Sequence, residues 1–153
     1  MVANAPKSKK RSVASSRSPP EQVVFFTDEN LGRHTVPEAL RLAEEHVIAF
    51  HERFSSGTKD QVWLPEVGRN GWILLTKDSR IRYRQNEMQA LLSSKTRSFV
   101  LVSSNLPGSE IAQIFVKALP RMKRLCQRQR PPFIAHVHKD GTVALMIPSM
   151  KRS

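Results

Sequence analysis

A single cysteine, Cys126, removes any internal disulfide from this 153-residue chain and fits a reducing compartment. Its helical neighbours Met122 and Leu125 mark it as a packed side chain rather than a nucleophile. The five histidines, His34, His46, His51, His136 and His138, show no paired spacing of the kind that builds a structural zinc site. There is no glycine-rich phosphate loop and no nucleophile elbow around any serine. No apolar run approaches the roughly 20 residues that span a bilayer, so no membrane attachment is expected. The basic N-terminus is not followed by an apolar stretch, so it is not read as a secretory signal. Acids are few: 13 Asp and Glu stand against 25 Lys and Arg, a net charge of +12. That balance favours polyanionic partners without specifying a fold.

An apolar fraction of 39% suits a globular domain with a real core. Residues 1–20 carry Lys7, Lys9, Lys10, Arg11 and Arg17, no acid and no apolar period. They are expected to be a disordered basic tail. The folded domain is expected over 21–148, with a short basic tail at 149–153.

Gln22 to Thr27 is a continuous apolar run of the kind buried on both faces of a parallel sheet. Thr35 and Glu38 have capping-box spacing. Val36, Leu40, Ala43, Val47 and Phe50 then follow at helical spacing, which predicts one helix to about Phe54. Asp60 is expected to cap a shorter helix carrying Trp63, Leu64 and Val67 on its inner side. A second strand is expected at Trp72–Thr76, then a helix from about Ser79 or Arg80 to Ser93. A third strand follows at Ser98–Val102, and a helix from Ser109 that Pro120 should kink or interrupt. Two strands flank the turn Asp140-Gly141 and close the chain as a hairpin. Alternating strands and helices predict an α/β sandwich with a mainly parallel sheet and helices on both faces.

Three acids fall where such a sheet gathers functional groups, at the carboxyl ends of strands. Asp28 ends the first strand run, Asp78 follows the second, and Asp60 opens the segment between them. Carboxylates collected at one crevice repel each other and attract a hard divalent cation. Each also has an ordinary explanation, as a turn or helix-cap residue. Glu87 could point back from the next helix or sit on a solvated ion-pair face. Glu44, beside Ala43 and Val47, is expected to be exposed, with an inward turn as the alternative. Arg80, Arg82 and Arg84 lie near the site in sequence. Together with Lys123, Arg124, Arg128 and Arg130 they could hold nucleic-acid phosphates, positioning the strand rather than reading it.

The ordered acids in Asp28-Glu29-Asn30-Leu31, Asp60 and Leu74-Leu75-Thr76-Lys77-Asp78, with Glu87 beyond, resemble the PIN-like fold. The stretch from Trp63-Leu64-Pro65 through Gly71-Trp72 to Arg82 is its most specific part. Pro132-Phe133-Ile134-Ala135 suits the same branch. The likeness covers about residues 22–147 and is to the ribonuclease toxins of bacterial VapC-type toxin–antitoxin pairs. It implies a metal-dependent endoribonuclease using Mg²⁺ or Mn²⁺. Asp28, Asp60 and Asp78 would be the catalytic and metal-binding acids, Glu87 a fourth catalytic acid and Glu29 an outer-shell group. It also implies an RNA substrate, a small antitoxin partner, a homodimer and a cytoplasmic place. The chain departs from the family pattern in lacking a plain helical acid at the second position, which leaves Glu44 or Asp60 to fill it. Two rival classes stay open: a non-catalytic nucleic-acid-binding module, and a phospho-acceptor signalling domain.

Overall fold

A computed structural model describes residues 22–77, 85–103 and 105–148, except for the side chain of Glu87. The expected tails at 1–20 and 149–153 lie outside the described residues, as do Asp78, Arg80, Arg82 and Arg84. Six strands form one sheet: β1 (Val24–Thr27), β2 (His46–Ala49), β3 (Ile73–Thr76), β4 (Arg97–Leu101), β5 (Phe133–Val137) and β6 (Val143–Ile147). Their order is β2-β1-β3-β4-β5-β6. The first five run parallel and β6 returns antiparallel to β5.

Side chains alternate across the strands, as the twofold pleat requires. Phe25, Ile73, Leu75, Phe99, Leu101, Phe133 and Ala135 face one way, towards α1 (Thr35–Leu42) and α5 (Gly108–Arg128). Phe26, Leu74, Val100 and Ile134 face the other, towards α2 (Phe50–Arg53), α3 (Asp60–Arg69) and α4 (Gln85–Ser93). The result is a three-layer α/β sandwich. Its second core is built on Phe26, whose ring stacks on Trp63 and on Trp72, each 5.7 Å away between centroids. Phe50 and Phe54 close the cluster edge-on. The Arg53 guanidinium covers the outer side of Trp72 at 4.9 Å.

The single helix expected to about Phe54 is corrected. α1 stops at Leu42, Glu44 takes a left-handed backbone (φ +70°), and His46–Ala49 becomes β2, paired with β1. Val47 and Phe50 are buried as their spacing suggested. One reaches the core from a strand and the other from the short α2. The Thr35–Glu38 capping box does not form, because Thr35 is already the first helical residue and His34 stands at the cap without a side-chain bond. Asp60 is likewise the first residue of α3 rather than its cap, which is Lys59. Pro120 does not interrupt α5, which runs unbroken over 21 residues. The closing hairpin forms as expected, its turn held by Asp140 Oδ1, which accepts from the Thr142 amide and hydroxyl.

Candidate active site

The parallel strands give the sheet two unlike rims. At the carboxyl rim the β1–β3 pairing runs one residue past the strand, with the Asp28 amide donating to the Leu75 carbonyl at 3.0 Å. Both oxygens of the Asp28 carboxylate are engaged by neighbours. Oδ1 accepts from the Glu29 amide, capping a 3₁₀ turn over Glu29–Leu31. Oδ2 accepts from the Thr76 hydroxyl at 2.8 Å. Asn30 Oδ1 lies 3.3 Å from the same hydroxyl. Its one proton is better spent on the nearer, charged acceptor.

Glu29 turns the other way. Its carboxylate accepts from the Ser56 hydroxyl and, at 3.3 Å, from the Gly57 amide. The Ser56 bond, then the Gly57 amide, hold its pKa below the ordinary carboxylate value. Gly57 sits at φ +82°, a left-handed turn that favours glycine. These bonds fasten the loop that leads into α3, where Asp60 is the first residue. Asp60 Oδ1 accepts from Trp63 Nε1 at 3.1 Å, and Trp63 stacks on Phe26. Phe26 is two residues from Asp28. Both acids therefore take their positions from one stretch of β1, Asp28 directly and Asp60 through the aromatic core. Beside Asp60 lies a cleft of about 400 Å³ lined by Lys59, Gln61, Asn86 and Ala90.

Asp78 lies outside the described residues. It follows Thr76 by two residues, and Thr76 is the hydrogen-bond donor to Asp28. Glu87 is on α4, with its side chain outside the description. Among the described residues no three His, Cys, Asp or Glu side chains converge closely enough to hold a metal. The donors at the rim are hard carboxylate oxygens, which suit Mg²⁺ or Mn²⁺ better than a thiophilic ion.

The amino rim holds the remaining predicted residues. Glu44 is exposed in the turn before β2 and so stands at the opposite end of the sheet from Asp28. Of the two residues expected for the second acid position, Glu44 is therefore away from Asp28. Glu45 is beside it, ion-paired with Lys123. Because α5 leaves β4 at the carboxyl rim and enters β5 at the amino rim, Lys123, Arg124, Arg128 and Arg130 gather at the far end. At 1.5 Å per residue, Arg124 is roughly 24 Å along the helix from Gly108. The sequence reading also missed an acid. Glu52 on α2 stands at the carboxyl rim, where Oε1 accepts from the Ala49 amide at 2.9 Å and meets the Arg41 guanidinium. It lay hidden inside the helix expected to Phe54; the β-branched pair Val47-Ile48 was the one signal of the strand before it.

Residues 23–103, more than half of the chain, match the family described as "PIN like domain". The chain belongs to that family. The PIN-like match begins just before β1 and ends just after β4, so it takes in Asp28, Asp60, Asp78 and Glu87 and leaves out α5 and the hairpin. A protein of Mycobacterium tuberculosis (strain ATCC 25618 / H37Rv) named "Putative ribonuclease VapC45" is 26% identical over 126 residues. The alignment covers 80% of this PIN-like chain and 91% of that relative. No solved structure matches significantly.

Proposed function

We propose that this PIN-like protein is a metal-dependent endoribonuclease, the toxin of a type II toxin–antitoxin pair. The observation that supports the reading is the direct Thr76–Asp28 hydrogen bond at the carboxyl rim, Thr76 standing two residues before Asp78 in the sequence. The name of the mycobacterial relative supports an RNA substrate and a small antitoxin partner. Among the described residues no helix is long and apolar enough to cross a membrane, and a cytoplasmic homodimer is the form we propose.

In this reading Asp28, Asp60 and Asp78 hold one Mg²⁺ or Mn²⁺, with Glu87 as the fourth acid. Such an ion lowers the pKa of a coordinated water and polarises a phosphate. Asp28 is restrained for that work by the Thr76 hydroxyl and the Glu29 amide, so little motion remains to be frozen when a ligand binds. Trp63 Nε1 restrains Asp60 through Oδ1. Glu29 acts one step removed, by anchoring the Ser56–Gly57 loop. Arg80, Arg82 and Arg84 hold the phosphates flanking the scissile bond. Lys123, Arg124 and Arg128 are on the last turns of α5 and Arg130 follows it, and this reading gives them no part in the step.

The test is cleavage of a labelled RNA with and without Mg²⁺ or Mn²⁺, beside Asp78→Asn. Asparagine keeps the shape and loses the charge that holds the ion. The variant should fold, retain RNA affinity that weakens with salt, and lose cleavage. Equal cleavage by parent and variant would refute the site. Metal-independent cleavage by both would refute the mechanism. Binding without cleavage by the parent would favour a non-catalytic module.

A further inference from the structure

Strand β6 is an edge strand: it pairs with β5, and no described strand lies on its other side. Its residues Val143-Ala144-Leu145-Met146-Ile147 include no charge and no proline. Proteins ordinarily blunt such an edge with lysine, proline or a cover, because free N–H and C=O groups beside apolar side chains invite another strand. Here Ala144 is exposed and the other four are only half-buried. Alongside β6, the last turns of α5 form the wall of a groove of about 520 Å³. It is lined by Arg121, Arg124, Leu125, Arg128, Val143 and Leu145, among others. The three arginines share one helical face at spacings of three and four residues. All are exposed, and none has an ion-pair partner among the described residues.

We infer that this groove binds an extended acidic segment of a partner protein, which adds a seventh strand to β6 and sets its carboxylates against Arg121, Arg124 and Arg128. The dimensions agree. Arg121 and Arg128 are about 10 Å apart along the helix, while same-face residues of an extended strand repeat about every 6.7 Å, within the reach of flexible guanidinium arms. Alternate apolar side chains of the segment would meet Leu125, Val143 and Leu145.

Other occupants fit less well. The chain's own residues 1–20 carry five bases and no acid, so the arginines would repel them. A second copy pairing edge to edge through β6 would bring two sets of these arginines to one seam. No aromatic side chain lines the groove, so the bases of a single-stranded nucleic acid would find no stacking platform. The inference does not depend on the ribonuclease reading, since the groove is at the β6 edge, four strands across the sheet from the β1 that ends at Asp28.

The test is fluorescence anisotropy of the full chain with a labelled ten-residue peptide of alternating Glu and Val. Comparison probes are the Lys-Val peptide, a Glu-Val peptide N-methylated at alternate residues, and an oligouridylate. The Glu-Val peptide should bind. Arg121→Glu, Arg124→Glu and Arg128→Glu together should weaken it by more than about tenfold, as loss of complementary charge implies. N-methylation, which removes strand hydrogen bonds, should weaken it by about as much. These side chains are exposed, and an unchanged circular dichroism spectrum would show that the triple variant folds. No binding of the Glu-Val peptide overturns the proposal, as does equal binding of the N-methylated peptide. Loss of oligouridylate binding alone in the triple variant would make the groove a nucleic-acid site. A concentration-dependent dimer abolished by the same variant would make it a seam between copies.

Discussion

Phe26 is fully buried and packs against the rings of Phe50, Phe54, Trp63 and Trp72. Truncating such a ring removes its transfer energy and leaves a cavity that stacked neighbours fill poorly. Phe26→Ala should cost about 3–5 kcal/mol, measurable by urea unfolding. It should also loosen Trp63 and with it the anchor on Asp60, so Mn²⁺ affinity measured by calorimetry should fall although no acid is changed. Cys126 makes the opposite prediction. Burial pushes its thiol pKa up to about 11, so little thiolate exists at neutral pH. Iodoacetamide should label the native protein far more slowly than the urea-unfolded chain. The inert character of Cys126 was legible from its neighbours, and Asp28 was legible from the strand that ends there. The anchoring role of Glu29 was not, because its partners Ser56 and Gly57 are 27 and 28 residues away and only the folded sheet brings them near.

At the scale of elements, the least legible segment was 43–54. A few apolar residues at positions 43, 47 and 50 satisfy helical spacing, and periodicity over so short a run cannot separate a helix from a strand followed by a turn. The arbiter is tertiary: His46–Ala49 find a ladder on β1, whereas a continued helix would leave that edge of β1 bare. The missing strand also hid which acids share a rim. Moving residues 46–49 into the sheet sends Glu44 to one end and Asp60 towards the other. Helix α3 offers a test in which two effects oppose. Alanine is better than glycine in a helix by about 1 kcal/mol. At Gly68, however, an added Cβ would stand 1.7 Å from the Ser94 carbonyl oxygen, a backbone atom that cannot turn aside. Overpacking of this kind costs about 1–3 kcal/mol. Gly68→Ala should therefore destabilise, with a lowered urea midpoint. A raised midpoint would show that α3 slides freely on the turn before β4.

The whole molecule carries a large positive charge, and its carboxylates are held mostly by hydrogen bonds and cations. Glu29 is lowered chiefly by the Ser56 hydroxyl, Glu66 by Arg69 and Asp140 by the Thr142 hydroxyl. At Glu52 burial acts to raise the pKa, but the Ala49 amide and Arg41 together outweigh it. Each group binds a proton more weakly folded than unfolded, so stability rises with pH across the titration. The contribution is complete above the ordinary values of 4.5 and 3.8 and is lost as pH falls through the lowered ones. The thermal midpoint should be flat from neutrality to about pH 5 and fall below it, and Glu29→Gln with Glu52→Gln should flatten that descent. The three-layer plan and the closing hairpin were legible from alternation alone, since both faces of each parallel strand must be apolar. The sequence placed α5 in the chain but did not show at which rim its late arginines gather; strand order decides that. That order also bears on how the protein is made. The Asp28 amide bonds to Leu75, 47 residues later in the chain, and β1 is flanked on both sides by strands translated after it. A nascent chain that has not yet released β3 into solution carries Asp28 on an unfinished edge, with its carboxylate unplaced. On the proposed reading, catalytic competence would therefore come late in synthesis, and a ribosome-stalled fragment ending before residue 73 should be inert whatever its length.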